Sequence, residues 1–338
     1  MNSRFFLIIS LSLGLIVHAF AQKETMDTSY VFSQTDKLVT RIYFSKKYTD
    51  FRVRNPDTDR SLRYMPNAGL NVGLGATYQK FTLNIAVPLG ILNPDRRDDF
   101  PRFYDLQTHF YPTHWIIDLF GQFYEGYTIS DFSGKDVSYL REDMKVRKIG
   151  VLASYVFNGQ KISIDAAMHN SFIQKRSAIS PLVGFEAYTV RVEGDSLIFP
   201  VGENFPNNFK KADYLHFGPN AGFLGTLVFG KGFFLTGALI GNVGGGYSRW
   251  EKDRETVNWK VIPGYSARGY AGFNNRKFSI NVNYVYKHLD LASEFDFNHS
   301  VNTGNYRLNF VYKFEVNDRF KKTFNKFNPI NLLGLGFK

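Results

Sequence analysis

The 338-residue sequence contains no cysteine. That excludes a disulfide-stapled scaffold, a thiolate metal site and a cysteine nucleophile. Beyond the first 21 residues there is no apolar run of about 20 residues, so no helix reads as a membrane span. Helical periodicity is almost absent. The seven His are scattered, without a helical i, i+4 pair, and no metal or cofactor site is expected. Acidic residues are in deficit, with 30 Asp and Glu against 41 Lys and Arg, a formal charge of +11. An exported chain is a poor nucleic-acid binder. The excess suits anionic lipid or a basic lumen.

Export is read from the start of the chain. Arg4 precedes the apolar run from Phe5 to Val17, and Ala19-Phe20-Ala21 follows. A positive start, a short apolar core and an A-x-A end describe a signal peptide cleaved after Ala21. Aromatic residues are abundant: 34 Phe, 20 Tyr and 3 Trp, or 17%, together with 29 Gly. Yet the mean hydropathy is −0.24. Outer-membrane barrels combine aromatic girdles with a polar interior, so their average looks soluble.

Period-2 alternation runs through most of the chain. Leu70, Val72, Leu74, Ala76 and Tyr78 alternate with Asn71, Gly73, Gly75 and Thr77. Further runs cover 38–45, 81–89, 103–110, 115–124, 146–157, 161–173, 215–229, 232–249, 258–274, 277–288 and 304–314. One side is apolar or aromatic, and the other mixes Gly, Ser, Asn and charge. Many runs reach the roughly 9–11 residues of a tilted membrane strand. Tight turns fall at Gln79-Lys80, Pro112-Thr113, Asn158-Gly159, Gly230-Lys231 and Asn274-Asn275. Longer links fall at 54–62, 92–102, 127–145, 174–214, 250–257 and 289–303. Short periplasmic turns alternating with long outer loops describe an outer-membrane barrel.

The expected fold is therefore all-β, an antiparallel transmembrane β-barrel of about 12 strands, with every tight turn and both termini on the periplasmic side. Residues 182–192 also alternate, and counting further strands gives 14 as the alternative. The expected organisation is a signal peptide at 1–21, a periplasmic segment at 22–37, the barrel at 38–314 and a periplasmic tail at 315–338. Asn158-Gly159 reads as a hairpin that sends Ile162, Ile164 and Met168 to lipid and Asp165 and His169 to the lumen. "GNYRLNFVYKF" ends in an aromatic at Phe314, resembling the signal read by the barrel-assembly machinery. The chain continues, so "NLLGLGF" is a second candidate for a closing strand. In the tail, Phe320, Phe324 and Phe327 recur at i, i+4 and i+7 among four cations. That spacing suits a short helix in a lipid interface.

Four stretches, "LRYMPNAGLNVGLGATYQKFTLNIAVPLG", "YDLQTHFYPTHWIIDLFGQFYEGY", "YVFNGQKISIDAAMHNSFIQKRSA" and "NYRLNFVYKF", resemble domain of unknown function 4421, an uncharacterised family of Gram-negative envelope proteins. The resemblance covers most of the mature chain. It implies an outer-membrane location, no established activity and no functional residues to carry over.

The chemistry must then come from the polar side of the strands. Asp105, His109, Asp118, Gln122, Asp165, His169, Arg268 and Arg307 are lumen-lining candidates, with Arg41, Lys148, Lys287 and Lys313 on corresponding sides. Arg or Lys facing lipid at midplane would cost about 2–4 kcal/mol. A structural network is the ordinary reading of such a set, and a substrate filter the sharper one. His169 and Ser171 form a His-x-Ser pair, like that of the outer-membrane phospholipases, but Phe172 follows where those enzymes have Asn-Gly. The expectation is a non-enzymatic barrel, a narrow pore or a structural envelope protein in contact with outer-membrane lipid. A lipid hydrolase and an exported glycan-binding sandwich are the alternatives.

Overall fold

The computed structural model describes residues 26–55, 61–79, 81–93, 103–130, 138–200, 208–251, 256–293 and 298–327. The proposed signal peptide and the "NLLGLGF" segment lie outside them. The strands are β1 (Val31–Ser33), β2 (Leu38–Arg54), β3 (Ser61–Pro66), β4 (Asn71–Tyr78), β5 (Phe81–Pro88), β6 (Phe103–Phe110), β7 (Trp115–Ile129), β8 (Tyr139–Val156), β9 (Phe172–Gln174), β10 (Ala178–Glu193), β11 (Lys211–Phe229), β12 (Phe233–Glu251), β13 (Thr256–Asn274), β14 (Phe278–Leu291) and β15 (Asn298–Phe314). Among the described residues two short α-helices accompany them, α1 (Ile164–Met168) and α2 (Asp318–Phe327), with a 3-10 turn over Gly90–Leu92.

All barrel ladders are antiparallel, and β15 closes onto β2 from Phe314 opposite Leu38 to Asn298 opposite Arg54. The closed ring runs through β2, β3, β7, β8 and β10 to β15, ten strands rather than twelve or fourteen. Two things separate this from the sequence count. First, the strand expected over 161–173 is absent, and β10 takes its place. The supposed long link 174–214 therefore contains a full barrel strand, and 182–192 is part of it. One false strand replaced one true strand, so the up-down parity survived. Second, β4, β5 and β6 stand outside this ring, with β3 in the place expected for β4 between β2 and β7. Among the described residues β5 pairs only with β4 and β6 only with β7.

Above them β3 pairs directly with β7, Tyr64 opposite Ile129. The switch occurs where the β7–β8 ladder slips between Glu125 and Tyr127. Gly126 takes φ +88° there, a conformation costly for any residue with a side chain. Asn67 N–H bonds the Gly126 carbonyl, and Thr128 Oγ1 donates to Asn67 Oδ1 at 2.6 Å.

Face assignment changes character along the strands. In the half nearer the tight turns, outward residues are apolar: Ile149 and Val151 on β8, Val183 and Phe185 on β10, and Phe233, Leu235, Leu239 and Val243 on β12. Inward neighbours are Lys148, Glu186 and Asn242. In the half nearer the long links this inverts. Met144, Val146, Val190, Val192 and Trp250 are buried inside. The outward positions carry charge, with Arg147 bridged to Glu193 at 2.8 Å and Arg191 to Asp213 at 2.5 Å. The barrel is thus polar inside an apolar band, then apolar inside a charged collar. Strands of up to 19 residues follow from the addition of the collar to the band.

The Asn158-Gly159 pair does not make the expected hairpin. Asn158 is held by β10, its N–H on Ser180 Oγ at 2.8 Å and its side chain on the Ile179 carbonyl at 2.9 Å. Ser163 then caps α1, accepting from Ala166 N–H at 3.2 Å, with Asp165 in the first turn. A serine cap before Ala-Ala-Met is a helix signal that also reads as alternation. Ile162 and Ile164 are therefore buried rather than lipid-facing, and Met168 is partly buried.

Candidate functional site

The interior is filled from both ends. At the turn end the connection 157–177 folds inward. α1 buries Ile164 and Ala167 against Ile116, Leu152, Leu182, Leu224 and Phe234 of the wall. Its polar edge is bonded all round. Asn274 Nδ2 donates to the Ala166 and Phe172 carbonyls, each at 3.0 Å. Asn281 Nδ2 donates to Asn170 Oδ1 at 3.0 Å, and Arg41 to the His169 carbonyl at 2.9 Å. Asn170 adopts φ +60°, which asparagine tolerates better than most residues. β1 pairs with β9, so the segment before the barrel is part of this plug. At the long-link end Ile198, Phe199 and Phe209 turn inward onto Tyr64, Tyr214, Trp250 and Val301.

Between the two stoppers lies a charged layer. Asp118 on β7 accepts from Arg268 on β13, and His109 Nδ1 lies 2.7 Å from its other oxygen. Glu186 on β10 binds Lys287 at 2.5 Å and also Asn242. Lys148 donates to Thr303 at 2.8 Å and lies 5.4 Å from the ring centres of Phe120 and Tyr188. Asp105 on β6 takes Lys47 at 3.1 Å, Tyr124 at 2.7 Å and Gln122 at 3.2 Å. A cavity of about 80 Å³ lies within this layer.

Of the sequence candidates, His109, Asp118, Gln122 and Arg268 line that cavity. Asp105 belongs to the same polar layer beside it. Asp165 and His169 sit on the plug, not on a strand. Arg307 lies elsewhere on the wall, 4.4 Å from the ring centre of Tyr43. Glu186 and Lys47 belong to this layer but are not singled out by the sequence pattern, Glu186 because 174–214 reads as one long link. The alternation of 182–192 was the available signal.

Ser171 Oγ donates to Asp165 Oδ2 at 2.8 Å, and His169 Nδ1 binds the other oxygen of that carboxylate. Both partners of the His-x-Ser pair are thus directed at Asp165. Among the described residues, no group of three or more His, Asp or Glu is arranged to hold a metal ion.

Residues 25–314 match the model of a domain of unknown function, DUF4421. The chain belongs to that family. No curated protein matches it. Among solved structures, the outer-membrane protease OmpT from Escherichia coli is similar at 10% identity, over 87% of this chain and all of that one, with a TM-score of 0.37. The toluene transporter TodX of P. putida is similar at 6% identity, over 83% and 91% of the two chains, with a TM-score of 0.25. Ail of Yersinia pestis is similar at 11% identity, over 80% and 99%, with a TM-score of 0.17. No residue role or activity passes from these proteins to the DUF4421 chain.

Proposed function

We propose that this protein is a non-enzymatic outer-membrane β-barrel that serves as a closed structural platform rather than an open pore. The observation that carries the reading is the inversion along the wall: an apolar outer band around a charged layer, then a charged collar around an apolar core. The band from Phe233 to Val243 on β12 is about the 9–11 residues that a tilted strand needs to cross hydrocarbon. The collar is built like a soluble barrel and would project into water with the long links. The plug and both termini of the barrel then face the periplasm.

Outer-membrane lipid is the partner that the band implies, and the barrel-assembly machinery is the route by which such a wall is inserted. α2 adds a second lipid contact. Phe320 and Phe324 pack on Tyr78, on the outward side of β4, with ring centres 5.1 and 4.7 Å away. Arg319, Lys321 and Lys322 stay exposed and would meet anionic headgroups. The engagement of Ser171 by Asp165 supports the non-enzymatic reading. Extraction from the outer-membrane fraction only with detergent, and heat-modifiable gel migration, are the expected behaviour. Recovery in the soluble periplasmic fraction would contradict it.

A further inference from the structure

Among the described residues, the charged layer of the lumen holds one cation more than its acids match. Asp105 is paired with Lys47 at 3.1 Å, Asp118 with Arg268, and Glu186 with Lys287 at 2.5 Å. Lys148 is left over. The register of β8 turns it inward, opposite Gln122 of β7 and Val190 of β10, while Ile149 faces out. It is buried, and among the described residues its ammonium bonds only Thr303 Oγ1, at 2.8 Å. That hydroxyl passes its own hydrogen to Gln122 Oε1 at 3.3 Å, and Gln122 donates to Asp105 at 3.2 Å. The Lys148 charge thus meets a carboxylate only through two neutral groups. The rings of Phe120 and Tyr188, each centred 5.4 Å away, offer their faces but no counter-charge. An ammonium taken out of water without a counter-charge is strongly disfavoured.

We propose that this layer binds a small monovalent anion, of the size of chloride or acetate, held by the Lys148 ammonium in the cavity it shares with Ser266, Arg268 and Lys287. These side chains line a volume of about 80 Å³. One water needs roughly 10–15 Å³, so a small anion fits there with a few waters, and a lipid headgroup does not. The lining also has donors to spare: Arg268 Nε and Ser266 Oγ are buried without a partner. Lys287 adds a second positive charge, 5.0 Å from the centre of the same Tyr188 ring. Asp118 is the one carboxylate among the described residues of that lining, and both its oxygens are taken, by His109 and by Arg268. Glu186 Oε2 is unpartnered, but Glu186 does not line the cavity. Water would satisfy the spare donors and leave the charge unbalanced, whereas an anion answers both. α1 and the Phe199–Phe209–Trp250 packing stop the lumen at either end, so the anion is captured as the barrel folds.

The full chain is refolded into phospholipid vesicles and unfolded in urea, with sodium chloride replacing sodium gluconate at constant ionic strength. Gluconate is too large for the cavity. Raising chloride from about 20 to about 500 mM should lower the wild-type unfolding constant about fivefold or more, as mass action requires of a ligand with a Kd of about 100 mM or tighter. Lys148→Met keeps the length of the side chain, removes its charge, and should lose that response. No response in the wild type would overturn the proposal. So would an equal response in Lys148→Met, which would be a general salt effect. A second measurement needs no variant. Wild-type protein refolded and crystallised in sodium bromide should show an anomalous scattering peak in the lumen beside Lys148 Nζ. A lumen without that peak, or bromide on the outer surface alone as an adventitious ion only, would also overturn it.

Discussion

Arg268 on β13 and Asp118 on β7 meet across the lumen, 150 residues apart in sequence, with His109 on the same carboxylate. A buried pair of this kind is costly to break from one side, because the remaining charge stays desolvated. Asp118→Asn is expected to lower unfolding stability by about 3–5 kcal/mol, and an apolar replacement of both partners by much less. Urea unfolding of protein refolded in vesicles measures both. A neutral Asp118→Asn would mean that solvent reaches Arg268 freely.

The plug should be pH-sensitive through Asp165. Burial alone would raise its carboxyl. His169 and the hydrogen bonds from His169 and Ser171, with the charge of Arg41, hold it below the usual range. A carboxyl held low in the folded state stabilises the plug above the unfolded value, about 3.9. That stabilisation is lost as pH falls from there through the lowered folded value. Amides of 163–174, corrected for intrinsic exchange, should lose protection below about pH 4, and Asp165→Asn should lose it already at pH 6. Protection independent of both would refute the role of Asp165.

Much of the wall was legible in the sequence because lipid and lumen impose opposite polarity on successive residues. Leu74 and Leu239 are exposed, while Arg41 and Lys148 are buried. Legibility failed where that contrast is lost. In Tyr139–Lys145 the strand has entered the collar, where exposed Leu140 and Glu142 flank buried Arg141, so the alternation of polarity is lost and the segment reads as loop. At Ser163–Met168 a capped helix shares its pattern with a strand, and only the capping serine distinguishes them. β5 and β6 were read as strands, but no local pattern reveals which strand a given edge will meet. Glu186 lies at the level of the band and is hidden for the second of these reasons: with 161–173 read as a strand, 174–214 reads as the link that follows it.

The lipid band can be tested at one position. Leu239 is 63% exposed on the outer face of β12. Leu239→Arg is expected to cost about 2–4 kcal/mol in vesicles if that level is near midplane. An outward residue of the collar, Arg249, should accept Leu with little effect. Equal tolerance at both positions would remove the band.

Ser171→Ala should leave any lipid hydrolysis by the purified protein unchanged, since the hydroxyl serves Asp165. The checking measurement is phospholipid release by wild type and variant, each confirmed as a folded barrel. Hydrolysis abolished by this substitution would establish an enzyme.

The closed lumen is the central claim, and conductance tests it most directly. Wild-type protein refolded into a planar bilayer should pass no stable unitary current, because α1 and the Phe199–Phe209–Trp250 packing stop both ends. Steady, reproducible current steps from the unmodified protein at low voltage would contradict the account and make it a pore.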